Sequence, residues 1–380
     1  MKTQRVFDRA TWDQRSKRPD GINLIARNGT VEDLAQCYAL HESLGLPYSK
    51  RRWRILPEMW RTLLSRGTMQ LCLVTNRAGR VGSRIVSFNA MLFAPDEFCL
   101  EARSRFPPYL GVELARQYLS SKLPVLNRSE VARANAGDGL NVIMCFEGWA
   151  HDGLSSEQVL AVRVKQSEAF HRSLSGYHVK EFLADSVGEE RLQWMLDAGA
   201  RVRRDYSNYF RKKHLRKPEA SRRPCVVGLT KEEARAHPGG NIAGLFVYTA
   251  PRFQFSRSQR VLLQHALMGE TCEELATSLS ISPWTVKKRW RAIYDRVTDV
   301  DRDLLPPSIA YGAHASSRGA ERRRHLLNYL RQHLEELRPY ELPPDRREKG
   351  RTLLSAIKIF VAGAAFFGPD IFPCLFECLA

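Results

Sequence analysis

Residues 255–297 read FSRSQRVLLQHALMGETCEELATSLSISPWTVKKRWRAIYDRV, and helix-capping residues divide this stretch into short helices. Ser256 precedes Gln259 by three positions, which fits the capping box, where a hydroxyl begins a helix and the third helical residue bonds back to it. Thr271 and Glu274 repeat this spacing at the start of a second helix. The stretch therefore predicts two capped helices in succession.

A third helix is predicted to begin at Ser282 and Pro283. Serine is a favoured N-cap residue, and proline at the first helical position loses no hydrogen bond, because that N–H has no partner inside the helix. Gly269 ends the first helix, and residues 279–281 form a tight turn before the third. Two short helices joined by such a turn predict a helix-turn-helix.

The third helix has an apolar side and a basic side. Its apolar residues recur at helical spacing: Val286, Trp290, Ile293 and Val297. We expect them to pack against apolar residues of the first two helices, namely Leu262, Leu275, Ala276 and Leu279. The basic side carries Lys287, Lys288 and Arg291, with Arg289 nearby. Because such a helix enters the major groove in a helix-turn-helix, these cations predict binding to double-stranded DNA.

At these residues the sequence resembles the helix-turn-helix of LuxR-type transcriptional regulators. The shared positions are Ser256, Val261, Leu262, Gly269, Glu274, Leu275, Ala276, Ser282, Thr285, Val286 and Lys287. Two positions depart from the pattern of that family. Gln259 stands where a glutamate is usual, and Arg289 stands where a histidine is usual.

The resemblance implies DNA-binding roles for five residues. Lys287, Lys288 and Arg291 would face the bases of the groove. Ser282 and Thr285 would donate hydrogen bonds to phosphate. Lysine and arginine can donate hydrogen bonds to O6 and N7 of guanine, so the preferred DNA sequence is expected to contain guanine. LuxR-type domains usually bind as dimers, which implies a homodimer on two symmetry-related half-sites.

The composition indicates a folded protein that attracts polyanions. The chain has 380 residues, which favours two or three domains, and 43% of them are hydrophobic. Lys and Arg number 59 against 41 Asp and Glu, a formal net charge of +18 that favours nucleic acid as a partner.

The first residues are charged and lack the apolar core of a secretory signal, which predicts a cytoplasmic protein. The eight cysteines have no C-x-x-C spacing, so we expect reduced, buried thiols and no metal site.

Residues 23–210 are predicted to form an α/β domain. Helical spacing occurs in three segments, at 31–40, 155–174 and 189–198. Apolar, strand-like runs occur on both sides of a turn at 76–79, which predicts a β-hairpin, and again at 140–146 and 179–184. This order resembles the GNAT acetyltransferase fold, a mixed sheet with helices. The resemblance implies a GNAT-like sensor or scaffold domain.

The chemistry of the GNAT family needs an Arg/Gln-x-x-Gly-x-Gly/Ala loop, whose N–H groups hold the pyrophosphate of acetyl-CoA at a helix N-terminus. The matching stretch, residues 152–157, reads DGLSSE and has one glycine. We therefore expect that acetyl transfer is lost, that the chain is not an enzyme, and that it has no cofactor and no catalytic residue. The candidate acid and base groups Glu147, His151 and Tyr206 are interpreted as surface or packing residues.

Six segments are predicted along the chain. They are an N-terminal arm (1–22), the α/β domain (23–210), a basic linker (211–252), the helix-turn-helix domain (253–300), a helical extension (301–345) and an unassigned apolar tail (346–380).

The linker is either a solvated hinge or a basic arm that touches phosphates. A leucine-sided helix at 321–337 either closes the helix-turn-helix domain or forms a dimer contact. Lys358 interrupts the apolar tail, so no membrane span is expected.

The sequence thus predicts a sequence-specific DNA-binding transcriptional regulator of LuxR type, with an α/β domain ahead of a small all-α helix-turn-helix domain. Two alternatives remain open. One is a GNAT-like acyltransferase tethered to DNA, and the other is a sigma-factor-like protein, whose final helix-turn-helix shares this pattern. The expected partners are double-stranded DNA and a second copy of the chain, with a small-molecule effector and RNA polymerase as further candidates.

Overall fold

A computed structural model of the chain describes residues 22–77, 84–121, 123–150, 153–306 and 315–341. Within these residues, seven strands form one sheet: β1 (Leu24–Asn28), β2 (Met69–Asn76), β3 (Arg84–Ala94), β4 (Leu140–Trp149), β5 (Val179–Val187), β6 (Arg201–Asp205) and β7 (Pro224–Thr230). Their order across the sheet is β1-β2-β3-β4-β5-β7-β6.

Helices cover both faces of this sheet and form the part of the chain that follows it. They are α1 (Leu34–Ser43), α2 (Lys50–Ser65), α3 (Asp96–Ser104), α4 (Leu110–Leu119), α5 (Arg128–Ala136), α6 (Ser156–Leu174), α7 (Glu189–Asp197), α8 (Ser207–Lys212), α9 (Lys231–Ala236), α10 (Arg257–Leu267), α11 (Cys272–Ser278), α12 (Pro283–Val300) and α13 (Ala315–Gln332). Short 3-10 helices lie at Val31–Asp33, Ala220–Arg222, Asn241–Phe246 and Leu334–Leu337.

The described sheet is antiparallel except between β4 and β5. These two strands are parallel, with Leu140 opposite Val179 and Met144 opposite Ala184. A parallel pair needs a crossover connection, and α6 supplies it by returning the chain from the end of β4 to the start of β5. The mixed sheet confirms the expected α/β fold.

The central strands are apolar at nearly every position because both faces of the sheet are covered. Successive side chains of β4 point to opposite faces and so enter different cores. Ile143 and Cys145 belong to the core beneath α2 and α4, whereas Val142 and Met144 belong to the core beneath α6 and α7. Residues near the end of β4 can therefore line cavities on either side of the sheet.

Most expected elements of the α/β part are present. The helices α1, α6 and α7 match the three predicted helices, β2 and β3 form the predicted hairpin, and β4 and β5 match the two further strands. The tip of the hairpin, at 78–83, lies outside the described residues. The sequence reading missed β1, β6, β7 and the helices between residues 50 and 136. Pro57 lies inside α2 and hides its helical character from a sequence reading.

The basic linker expected at 211–252 is corrected by the sheet topology. β7 lies inside this range and pairs with both β5 and β6. Val226 and Val227 are fully buried, so the apolar run after the arginines is a central strand and not a hinge. The sequence reading gave weight to the neighbouring charges, whereas a run of four or five apolar residues is long enough for a buried strand. The sheet therefore extends to Thr230.

The helices α10, α11 and α12 lie where they were predicted, and they have the predicted caps. The hydroxyls of Ser256, Thr271 and Ser282 each accept a hydrogen bond from the N–H three residues later. The apolar side of α12 is buried in a core that also contains Leu262, Leu275, Ala276, Leu326, Leu327 and Leu330. Since the last three leucines belong to α13, that helix closes the helical part from within the chain.

The described residues from 22 to 340 form one compact unit, so the structure does not set the helical part apart as a separate domain. Arg338 connects the two parts, because its guanidinium donates a hydrogen bond to the carbonyl of Ser175 (2.8 Å) beyond the end of α6. Gly176 has a φ of +82°, and a side chain there would collide with the backbone of Glu335. This close approach requires a glycine.

Two predicted segments fall largely outside the described residues. They are residues 1–21 of the N-terminal arm and residues 346–380 of the apolar tail. In the part of the chain that the structure describes, no helix combines the length and the apolar composition that crossing a membrane requires.

Candidate active site between two diverging strands

β4 and β5 pair with each other only along their first halves. Their last matched pair is Met144 with Ala184, after which β4 stays on β3 and β5 stays on β7. A bulge at Cys145 accompanies the separation, because Met144 and Phe146 pair with successive residues of β3. The two strands therefore diverge and leave a cleft between their final residues.

Asp185 is the first residue of β5 beyond the separation, and its side chain is buried. One carboxylate oxygen accepts a hydrogen bond from the N–H of Gly111 (3.3 Å), and the other has no partner among the described residues. Burial raises the pKa of Asp185 to about 7; the N–H groups of Gly111 and Leu110 act against this rise, and the charge of Glu147 adds to it. A carboxyl group with this pKa can exchange a proton with a substrate near neutral pH.

Three tyrosines lie close to this carboxyl group. Burial raises the pKa of Tyr48, Tyr109 and Tyr206, and the charge of Asp185 raises each of them further. The buried hydroxyl of Tyr206 has no partner among the described residues, whereas Tyr109 donates to the carbonyl of Arg222 (3.0 Å). These neighbours are neutral, so they do not lower the pKa of Asp185 as a salt bridge would.

Glu147 lies on the opposite wall of the cleft and forms an ion pair with Arg191 of α7. Burial raises the pKa of Glu147, and the guanidinium of Arg191 opposes that rise. Arg191 also lies over the rings of Trp149 (5.8 Å) and Trp194 (4.3 Å). A cation held by two aromatic rings and a carboxylate has a well-defined position, so Arg191 forms the α7 end of the cleft.

His41 and Gly111 hold α1 and α4 against β4. The imidazole of His41 is fully buried, with Nδ1 2.8 Å from the carbonyl oxygen of Glu147 and Nε2 3.2 Å from the Tyr48 hydroxyl. Burial lowers the pKa of His41 to about 4, so the ring is neutral at physiological pH. A Cβ at Gly111 would lie 2.5 Å from the Tyr48 hydroxyl and 2.8 Å from the carbonyl oxygen of Cys145, which explains the glycine.

The cleft opens into a cavity on each side of the sheet. Both cavities are lined by Glu147, Trp149, Val187 and Ser221. The larger one, of about 210 Å³, lies against α6 and α7, and it also includes Ser87, Asn89, Arg163, Gln166 and Arg191. The smaller one, of about 100 Å³, lies against the connection from α1 to α2, and it also includes His41, Tyr109, Cys145, Asp185 and Arg222. Two substrates can therefore approach the same residues from opposite sides.

The stretch compared with a pyrophosphate loop, residues 152–157, leads into α6. Residues 151 and 152, and with them the candidate His151, lie outside the described residues. The Ser155 hydroxyl accepts the N–H of Gln158, and the Gln158 side chain accepts the N–H of Ser155 (3.0 Å). The helix thus caps two of its own N–H groups, which leaves fewer of them for a phosphate. The loss of the pyrophosphate loop stays a prediction.

The chain is similar to several solved structures, all at low identity. The C-terminal condensation domain of Ebony in complex with beta-alanyl-dopamine is 12% identical, with a TM-score of 0.36 over 55% of this chain and 99% of that one. A chimera of the spermidine N-acetyltransferase SpeG from Vibrio cholerae and hSSAT is 8% identical, with a TM-score of 0.32 over 55% of this chain and 96% of that one. FeeM, an N-acyl amino acid synthase from uncultured soil microbes, is 10% identical, with a TM-score of 0.31 over 56% of this chain and 94% of that one. No family model and no curated protein matches the chain.

The expectation that this chain is not an enzyme is wrong. The structures to which it is similar include proteins named as an N-acetyltransferase and an N-acyl amino acid synthase. The expectation rested on the glycine-poor stretch at 152–157 and took no account of a cleft elsewhere in the sheet.

The sequence analysis named two residues of this cleft and missed a third. Glu147 and Tyr206 were interpreted as surface or packing residues; both are buried beside Asp185, which excludes a surface position and is compatible with packing. Asp185 was not singled out at all. The available signal was an aspartate directly after the apolar run 179–184, where a buried strand continues and a charge has no obvious place.

The residues predicted to contact DNA lie on one side of α12 and at its start: Ser282, Thr285, Lys287, Lys288 and Arg291. The three basic side chains are exposed to solvent. The hydroxyl of Ser282 caps the helix by accepting the N–H of Thr285 (3.1 Å). Sequence reasoning missed Trp284, which is 68% exposed and lies 5.3 Å from the Lys288 ammonium group. Contact with DNA stays a prediction.

Proposed function

We propose that the cleft between β4 and β5 is the active site of an acyltransferase, which moves an acyl group from a thioester to an amine. The observation that carries this proposal is Asp185, a buried carboxyl group whose pKa is about 7 and which has one oxygen without a partner among the described residues. It lies where two parallel strands separate. The GNAT-like strand order favours a thioester donor, since that family uses acetyl-CoA.

In this reaction Asp185 acts as the general base. It lines the smaller cavity and accepts the proton that the amine loses as its nitrogen attacks the thioester carbonyl. The new N–C bond forms, the C–S bond breaks, and the sulfur leaves with the electron pair of that bond and takes a proton from solvent. Asp185 then releases its proton to solvent. A pKa near neutrality suits both the gain and the loss of this proton.

We assign the amine to the smaller cavity and the thioester to the larger one. Of the two cavities, only the smaller one is lined by Asp185, so the amine whose proton Asp185 accepts is placed there. The larger cavity, of about 210 Å³, has more room for the bulkier donor. Its guanidinium groups, Arg163 and Arg191, are paired with Glu190 and Glu147, so a phosphorylated carrier arm such as that of coenzyme A would compete with these carboxylates for them.

The proposal is tested by acyl transfer with the full chain. Thiol release from acetyl-CoA and octanoyl-CoA is measured with and without a diamine or an amino acid as acceptor. Release that needs the protein and the amine, and that falls in the Asp185→Asn variant, supports the proposal. A chain that releases no thiol from either thioester with any acceptor overturns it.

As a second function, we propose that α12 binds double-stranded DNA. The supporting observation is that Lys287, Lys288 and Arg291 are exposed while the opposite side of the same helix is buried. The formal net charge of +18 favours the same partner. On this proposal the three cations meet base edges, a homodimer binds two half-sites, and the acyltransferase is tethered to DNA.

Salt dependence tests the second function. Binding of the full chain to duplex DNA is measured at increasing salt, and it should weaken by about 10³-fold or more from low to physiological salt if several phosphates are contacted. An affinity that does not change with salt would contradict nucleic-acid binding. Co-purification with RNA polymerase would favour the sigma-factor-like alternative.

A further inference from the structure

Gln166 of α6 is buried and has no hydrogen-bond partner among the described residues. Only 5% of its surface is exposed, and neither its amide oxygen nor its amide nitrogen bonds to any described residue. An unpaired buried polar group destabilises a fold, so its presence calls for a physical reason. Gln166 lines the larger cavity of the cleft and also a further cavity between α6 and α7, hereafter the α6–α7 cavity.

The α6–α7 cavity is apolar and continuous with the cleft. Its volume is about 160 Å³, and its lining includes Leu160, Val164, Phe170, Phe182, Trp194 and Met195. It shares Gln166 and Arg163 with the larger cavity of the cleft, and it shares Met144 with the smaller one. All three cavities therefore meet near the point where β4 and β5 separate.

Two apolar residues stand at the edge of the α6–α7 cavity. Leu160 is 62% exposed and Val164 is 51% exposed, and their spacing places them on the same side of α6. Exposed aliphatic side chains beside an apolar cavity are typical of a ligand site. A wholly apolar ligand would leave the Gln166 amide unpaired, so the site suits a ligand with a polar group at Gln166 and an apolar chain beyond it.

We propose that the α6–α7 cavity holds the acyl chain of the donor and that Gln166 bonds the polar end of the donor beside that chain. An apolar cavity of about 150 Å³ can hold a six-carbon ring, so this cavity suits a chain of about six to eight carbons. The substrate class is then a medium-chain acyl thioester. The identity of the ligand rests on the proposed acyl transfer, whereas the amphipathic character of the site rests on the geometry.

Binding of thioesters of different chain length tests this inference. The full chain is titrated with acetyl-CoA, butyryl-CoA and octanoyl-CoA by calorimetry. Each buried methylene group should tighten binding by roughly fourfold. Octanoyl-CoA has six more of them than acetyl-CoA, so it should bind at least about tenfold more tightly even if only two are buried. Equal affinity for the three thioesters would overturn the inference.

Two variants that fill the cavity supply the control. Ala198→Phe places an aromatic ring in the cavity. Val164→Trp does the same from a half-exposed position, and it can be measured instead if Ala198→Phe does not fold. Each should abolish the preference for the longer chain and leave acetyl-CoA affinity within about twofold. Met268→Phe, at an exposed apolar residue outside the cavity, should change neither. A preference that survives in both cavity variants contradicts the inference.

Gln166→Leu separates a binding role from a structural one. If the Gln166 amide forms a hydrogen bond with the bound ligand, this variant should bind octanoyl-CoA about two- to tenfold more weakly, because that hydrogen bond is lost. It should also have a higher melting temperature without ligand, because the unpaired buried amide of residue 166 is removed. A lower melting temperature with unchanged thioester binding would show that Gln166 serves the fold alone, and the inference would fail.

Failure of this inference can be told apart from failure of the proposed function. Thiol release with no dependence on chain length keeps the acyltransferase and removes the α6–α7 acyl site. Chain-length-dependent binding without transfer to any amine keeps the acyl site and removes the acyltransferase.

Discussion

Asp185 accepts a hydrogen bond from the backbone N–H of Gly111 across 3.3 Å, which ties the separated end of β5 to the first turn of α4. This bond occupies one carboxylate oxygen and directs it toward a helix N-terminus, where a negative charge is stabilised. The other oxygen has no partner among the described residues. A carboxylate held at one oxygen has a fixed orientation and still has an atom with which to accept a proton.

The first prediction concerns catalysis at Asp185. Asp185→Asn keeps the size of the side chain but removes the base, so the rate of acyl transfer should fall by about 10²–10⁴. In the native chain the rate should rise with pH and level off above about pH 7, because only the deprotonated carboxyl group acts as the base. Initial rates of thiol release from pH 5 to 9 check both statements.

A matched control for this variant is Asp205→Asn. Asp205 lies at the end of β6, and the hydrogen bonds from Ser207 lower its pKa. Its replacement should leave both the rate and the pH profile unchanged. If Asp185→Asn retained the native rate, the base would have to be another group of the cleft.

The second prediction concerns stability against pH. The pKa of Asp185 is about 7 in the folded chain, above its ordinary value of 3.8. Between these values the folded state binds more protons than the unfolded state, so the free energy of unfolding falls as pH rises through this range. The loss should be on the order of 2–4 kcal/mol. Chemical denaturation at pH 4.5 and pH 8 measures it.

The Asp185→Asn variant has no proton to lose at this position. Its free energy of unfolding should therefore fall less than that of the native chain over the same pH range. Glu147 also has a raised pKa, so part of the pH dependence should remain. Identical pH dependence in the two chains would show that Asp185 is not protonated in the folded state near pH 6.

The third prediction compares two tryptophans of α12. Trp290 is 5% exposed in the core of the helical part, and Trp290→Ala should destabilise that part by about 3–5 kcal/mol. Trp284 is exposed, so Trp284→Ala should change stability by less than about 0.5 kcal/mol. Thermal unfolding followed by circular dichroism distinguishes the two. An unchanged transition in Trp290→Ala would contradict the assignment of faces.

The fourth prediction separates base contacts from phosphate contacts. Lys287→Ala or Lys288→Ala should weaken binding to the preferred DNA site by about 1–3 kcal/mol. The ratio of the affinity for that site to the affinity for random DNA should fall as well. Arg211→Ala or Lys213→Ala should weaken binding to all sequences alike, or not at all, because a phosphate contact carries no base information. Competition titrations with specific and random duplexes measure this affinity ratio. A ratio that neither lysine variant changes would contradict base contact by α12.

The local sequence determined the helical part of this protein. Hydroxyl caps at Ser256, Thr271 and Ser282 act over three residues, and the spacing of apolar residues along α12 decides which side is buried. Such interactions lie within one or two helical turns, so they can be read without a tertiary structure. For the same reason the sequence placed β2, β3, β4, β5 and α6 close to their observed positions.

The candidate active site was decided by the tertiary structure. Asp185, Gly111 and Glu147 come from different elements, and they meet only because β4 and β5 separate after Met144. The raised pKa of Asp185 follows from burial by α4 and from the neighbouring side chains, and no local pattern encodes this environment. β7 was missed for a related reason, because its place between β5 and β6 depends on partners distant in the chain. The sequence alone determined the order and the caps of α10, α11 and α12, whereas long-range strand pairing decided where charge is buried and where substrates can enter.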